Sequence, residues 1–281
     1  MLHDFTLGPE TGLRATLIIA GLGLLLILIE LTVTSPPFLG PSGPVPWDVV
    51  RLQARCTAKD SPTSRLLDRL FSEPRWWLIP ACSFAAALVA ASVIGGSGLY
   101  VARIAAIPVS IILGLLGVRS FYGLDGAYHM MLVIFGSVAL TAFVPGPVGP
   151  QLAAGSIAVN ACIAYLVSGV AKLASPVWRN GQAIRGILST RSYGHPAAYR
   201  MVLSFNGLDL TLCWTVMIFE VAFVVAAFIG GLPLVVFLGI GVAFHLSIAA
   251  AMGLNGFLFA FTATFPCVLW SSSLLDGILA R

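Results

Sequence analysis

The sequence predicts an all-α membrane protein, a polytopic bundle of about eight transmembrane helices plus an interfacial helix. Three observations predict it. With 15 basic and 11 acidic residues among 281, only 9% of the chain is charged, where soluble globular domains run at roughly 25%. Hydrophobic residues make up 58% of the chain and mean hydropathy is +0.98. Apolar runs of about 20 residues, the length a bilayer demands, recur from end to end. Such a chain has too little charge for a soluble surface and too much hydrophobicity for disorder. A net charge of +4 without a basic–aromatic stripe argues against nucleic-acid recognition.

Eight windows qualify as spans. The first, 13–34, is too long for a signal-peptide core and is followed by no small-residue cleavage pattern, so it reads as a retained helix. The second, 76–94, opens on Trp76 and Trp77, where an interfacial aromatic belt belongs. The third, 99–118, carries Arg103 and Pro108. The others are 126–144, 152–173, 208–229, 232–252 and 255–270. From Leu210 to Leu275 the only charged residue is Glu220. Backbone amides in lipid must be bonded internally, so these runs mean helices. Period-2 alternation is absent, which disfavours barrel strands. No internal repeat points to a two-halved transporter. The whole chain, 1–281, reads as a single transmembrane domain.

Two connections are long. Residues 35–75 begin with PPFLGPSGPVP and continue into a mixed-charge helical pattern with Arg51, Arg55, Lys59, Arg65, Arg69 and Arg75. Residues 174–207 hold Arg179, Arg185, Arg191 and Arg200. In the second, Ile184, Ile187 and Leu188 share a helical face with Arg185 off it. That pattern fits an interfacial helix and fits a plain basic loop equally well. Four of the five cysteines fall inside spans, where Cys is a small hydrophobe; Cys56 lies in the first long connection. No metal-ligand spacing and no CxxC occurs, so no metal is expected.

Consecutive spans alternate direction, which places the polar residues. The starts of spans four, six and eight and the ends of spans five and seven share one membrane face, the face from which both long connections emerge. Asp125 and His129 lie at the start of span four, Lys172 at the end of span five, and Asp209 at the start of span six with Glu220 deeper. Asn255 opens span eight. His245 precedes Gly253 by eight residues, about 12 Å inward. The polar groups thus converge on one half of the bilayer, whereas a channel or through-going transporter needs polar lining across it. A pocket open to one face is the reading adopted, because intramembrane ionisable residues are functional candidates by default. Each has a plainer role too. Lys172 fits a snorkelling helix end, His129 a hydrogen-bonded anchor, and Glu220 a packing lock. Asp125 and Asp209 fit the water boundary, and Trp178–Arg179 an interfacial anchor.

Three segments carry a family resemblance: YLVSGVAKLASPVWRNGQAI (165–184), FHLSIAAAMGLNGFLFAF (244–261) and GAYHMMLVIFG (126–136). Together they resemble the HTTM (horizontally transferred transmembrane) domain of the vitamin K-dependent gamma-carboxylase-like group. The SGVAKL tract followed by Pro-x-Trp and Gly is the strongest match, and His245 with Met252 and Gly253 the next. Order and spacing agree over most of the chain; span one and the first long connection agree in layout only. The resemblance implies a lysine base at Lys172 acting on vitamin K hydroquinone, with dioxygen and carbon dioxide as co-substrates and a protein glutamate carboxylated. It also implies His129 and His245 in the same membrane-embedded region. The site expected is therefore Lys172, His129 and His245 in catalysis, with Asp125, Trp178, Arg179, Glu220 and Asn255 lining the pocket.

The animal carboxylase carries a large C-terminal soluble domain, and this sequence ends soon after span eight. The resemblance therefore implies quinol-linked chemistry, with reduced menaquinone or a vitamin K-type hydroquinone, on a peptide or small substrate in a bacterial cell membrane. Membrane lipid and a secreted peptide are the partners it implies. Stand-alone HTTM proteins also accompany exported peptides, which leaves a non-catalytic maturation or immunity factor as the alternative. The excess of Lys and Arg would place the loop face in the cytoplasm; the carboxylase resemblance places it outside, and that orientation is the expectation taken.

Overall fold

A computed structural model of the protein describes residues 7–39, 46–53, 61–72, 75–120 and 125–279. Arg55, Cys56, Lys59 and residues 40–45 of the Pro/Gly-rich stretch lie outside them. The described residues form helices and no strand: α1 Pro9–Leu39, α2 Trp47–Gln53, α3 Pro62–Ser72, α4 Arg75–Val93, α5 Gly98–Ser120, α6 Gly126–Leu140, α7 Val148–Ala174, α8 Pro176–Arg179, α9 Gln182–Leu188, α10 Pro196–Ser204, α11 Leu208–Ile229, α12 Gly231–Met252, α13 Asn255–Thr262 and α14 Phe265–Leu279. Among them, seven segments are long and apolar enough to cross a membrane, and α6 is a shorter apolar helix. The chain is an integral, multi-pass membrane protein of all-α architecture.

The expected spans all fall on helices, with three differences that have local causes. α1 starts at Pro9, whose missing N–H costs nothing at the first helical position, and runs on to Leu39 through Pro36 and Pro37. The fourth window stops at Leu140 instead of 144. There Arg103 of α5, 5% exposed, donates from Nη2 to the carbonyls of Thr141 and Val144, the latter at 3.0 Å. A cation beside the end of α6 suits the helix dipole. The eighth window is broken into α13 and α14. Pro266 has no N–H to continue the ladder, and the buried Thr264 hydroxyl bonds back to the Phe261 carbonyl at 2.7 Å. Such side-chain bonds let a transmembrane helix break without exposing its backbone to lipid.

The chain divides into two compact units: Met1–Thr16 with Pro150–Arg281, and Leu17–Gly149. In the first, α11 packs on α12, α8, α9, α10 and α14, and α12 packs on α13. The α1 start joins this unit, where the Thr16 hydroxyl meets Cys267 Sγ at 3.1 Å. In the second, α4, α5 and α6 pack in sequence, and α2 packs on α3 and α5.

Gly169 marks a close approach of α7 to α11. A Cβ there would stand 2.8 Å from Val221 Cγ2 and 3.1 Å from the Glu220 Cβ and the Val221 backbone nitrogen. Gly155, earlier on α7, has nothing within 4 Å. Gly169→Ala is therefore predicted to cost about 1–3 kcal/mol through overpacking. Gly155→Ala is predicted to be neutral or to stabilise by up to about 1 kcal/mol. Unfolding of the two variants in micelles, followed side by side, checks the ranking.

Candidate functional site

The site is built on one face of α7. Tyr165, Ser168 and Lys172 follow the i, i+3, i+7 spacing that stacks side chains on a helix. Lys172 lies in the last turn, where the helix dipole favours a cation. Its side chain does not run outward to the interface. It turns back one helical turn, as the tilt of the Cα–Cβ bond favours, and the ammonium donates to Ser168 Oγ. It also donates to both carboxylate oxygens of Glu220, at 2.8 and 2.7 Å. The Ser168 hydroxyl donates to Glu220 Oε1 at 3.2 Å. The Lys172 side chain is 18% exposed and that of Glu220 6%. The pairing that the plainer reading of Glu220 foresaw is present, with Lys172 as its partner.

The cluster lies part-way along α11, unlike the snorkelling helix end that was the plainer role of Lys172. Glu220 is the thirteenth of the 22 residues of α11, about 18 Å from that helix's start. Lys172 meets it there, so α7 ends well inside the length of α11. The remaining stretch of α11 is covered by α8 and α9. Gly181, between them, adopts φ +83, a left-handed conformation that glycine reaches without strain. A Cβ there would stand 2.9 Å from the backbone of Leu210. Ala183 of α9 is buried, and Arg185 donates to Asp209 Oδ2 at 2.6 Å. The segment expected as an interfacial helix thus packs one face against the first turns of α11. Trp178 of α8 is half-buried, with its ring centroid 5.2 Å from Lys172 Nζ, within cation–π range. Arg179 is exposed on α8.

A second polar pair sits in an aromatic wall. His245 of α12 is 2% exposed, and its Nε2 lies 2.7 Å from the Tyr165 hydroxyl. The imidazole stacks on Phe261 at 4.8 Å and 13° and lies 5.0 Å from Phe244. Tyr165 in turn packs on Phe219, Phe223 and Phe261. Ring contacts of this kind add to the burial of large apolar side chains. His245 Nδ1 is buried without a hydrogen-bond partner among the described residues.

The other expected residues are placed as follows. Asn255 opens α13 and is exposed. Asp125 and His129 belong to the other compact unit. Asp125 caps α6 by accepting from the Tyr128 amide at 2.9 Å, the usual work of an N-cap aspartate. His129 is exposed, with Nδ1 2.7 Å from the Asp125 carbonyl. The structure brings together Lys172, Glu220 and Trp178, and joins His245 to Tyr165. Ser168 and Tyr165 escaped the sequence reading, although their spacing from Lys172 marks a shared face. Arg119, at the end of α5, is fully buried and was also not singled out.

The two ion pairs made by α11 differ in burial, which ranks their importance. Removing one partner of a buried pair strands the other charge and costs about 3–5 kcal/mol; an exposed pair is worth about 1 kcal/mol at most. Glu220→Ala is predicted to fall in the first range. Asp209→Ala is predicted to fall near the second, because the Arg185 side chain is 51% exposed and water replaces its partner. Of these two pairs, raising salt weakens the Arg185–Asp209 contribution. SDS titration of the micellar protein at low and high salt measures both.

Comparisons of the chain with protein-family models, with curated proteins and with solved structures find no match.

Proposed function

We propose that the chain is a quinol-dependent membrane enzyme, similar to the vitamin K-dependent gamma-carboxylase-like group and its HTTM domain. It sits in a bacterial cell membrane and modifies a peptide or small substrate. The observation that carries this reading is the buried Lys172–Ser168–Glu220 cluster on the α7 face that also bears Tyr165 and, through it, His245. Reduced menaquinone or a vitamin K-type hydroquinone supplies, when bound, a weakly acidic hydroxyl and the reducing power to activate dioxygen, with carbon dioxide as the further co-substrate.

The residues present fit such a group. Phe219, Phe244 and Phe261 offer ring faces and exclude water, and His245 Nδ1 is a buried polar atom without a partner among the described residues. Lys172 and Glu220 supply the proton chemistry. A neutral pair holds one proton on two basic sites. It can accept one more proton, ending as an ammonium beside a carboxylic acid. Ser168, bonded to both, keeps the amine and the carboxylate in register while that proton arrives. A positioned base of this kind contributes about 10²–10⁴ in rate.

The closure of the same cluster favours a second reading. Lys172, Ser168 and Glu220 satisfy one another, as a lock between α7 and α11 does. A non-catalytic maturation or immunity factor for an exported peptide needs nothing more.

Oxidation of reduced menaquinone by the purified protein separates the two. The test variant is Lys172→Met/Glu220→Gln, which strands no buried charge and so keeps the fold. The enzyme reading predicts turnover by the natural protein and a loss of at least about 100-fold in the double variant. Undiminished turnover in the double variant contradicts it. Absence of turnover in both, with peptide binding retained in both, supports the second reading.

A further inference from the structure

The geometry points to Tyr165 as the positioning residue that fixes His245 in one tautomer, presenting its Nδ1–H as a donor for a carbonyl-type oxygen of an apolar ligand. Tyr165 and His245 make a single hydrogen bond of 2.7 Å, and both side chains are buried, at 2% exposure each. A neutral imidazole has one N–H and one lone pair, and a phenol has one O–H. The bond can therefore form in two ways. If Tyr165 donates to Nε2, the proton of the imidazole is on Nδ1, and that N–H is the one donor left over. If His245 donates from Nε2, the phenol proton and the Nδ1 lone pair are both left over. The first arrangement strands fewer buried polar groups, each of which is costly away from water. It also joins the better donor, the phenol, to the better acceptor, the imidazole nitrogen.

The left-over donor then defines what the site takes. Nδ1 is buried and has no partner among the described residues. Its surroundings are aromatic: Phe261 stacked on one face of the ring and Phe244 at 5.0 Å. A donor in such a wall fits a neutral acceptor on a flat apolar body. A carboxylate would bring an unpaired charge into the same setting. A ring carbonyl answers both demands. The choice of a quinone-type carbonyl rests on the function proposed above; the tautomer assignment does not.

Nitrogen NMR of full-length, ¹⁵N-histidine-labelled protein in micelles tests this, with His245 assigned by its loss in His245→Gln. The expected result is the Nδ1–H tautomer in the natural protein, and a preference for it reduced by about tenfold in Tyr165→Phe, the equivalent of one unpaired group. Menadione is the probe for the acceptor. Saturable movement of the His245 Nδ1 signal with menadione, and none with naphthalene, is the expected outcome. An Nε2–H tautomer in the natural protein, or a tautomer unchanged in Tyr165→Phe, overturns the proposal. So does an Nδ1 proton that keeps a cross-peak to water at saturating menadione, since its acceptor is then an internal water only. If the tautomer and the menadione response hold while no quinol is oxidised, the enzyme reading fails and this assignment stands.

Discussion

A lysine and a glutamate placed within apolar helices have few places to go. Each charge costs several kcal/mol to leave unpaired away from water, so Lys172 of α7 and Glu220 of α11 settle where they meet. That meeting fixes the relation of the two helices. A slip of one turn, about 5.4 Å, would strand both charges. Gly169 follows from it, since the helices approach too closely there for a Cβ. So does the inward turn of the Lys172 side chain, and with it the depth at which α7 ends. α8 and α9 then cover the length of α11 that α7 leaves bare, with Gly181 against Leu210 and Arg185 on Asp209.

The two compact units use their polar residues differently. In Leu17–Gly149 Asp68 joins Arg51 and Trp47, at 3.1 and 2.7 Å, while other polar side chains serve the backbone. Arg103 closes the end of α6, Asp125 caps its start, and the Tyr128 hydroxyl donates to the Leu113 carbonyl at 2.8 Å. The first two satisfy the demands of helix ends; the third falls on a carbonyl inside α5. In the unit built on α7 and α11 to α14, side chains serve one another: Lys172 with Ser168 and Glu220, and Tyr165 with His245.

The spans were legible because lipid demands apolar runs of a set length, and hydropathy reports that directly. Their ends were less so. The stop of α6 at Leu140 depends on Arg103, 37 residues earlier in the chain, and the break after Thr262 depends on Thr264 and Pro266 acting within an apolar run. In the site, Lys172, Glu220 and His245 stood out as ionisable residues in apolar surroundings. Ser168 and Tyr165 did not, because a serine and a tyrosine are unremarkable in a helix until a charge or an imidazole is placed beside them. The level at which α7 meets α11 could not be read from either helix alone. Hydropathy locates a helix along the chain, while the register between two helices is set by side-chain pairs far apart in sequence. The plain snorkelling geometry for Lys172 failed for that reason: an intramembrane partner was within reach on another helix.

Lys172 and Glu220 act as one buried pair. A double-mutant cycle with Lys172→Met, Glu220→Gln and their combination, read as unfolding free energies in micelles, measures their coupling without reference to any substrate. The structure predicts a coupling of about 3 kcal/mol or more, within the range of close desolvated charge pairs. A coupling below about 1 kcal/mol, the value of an exposed ion pair, would contradict it.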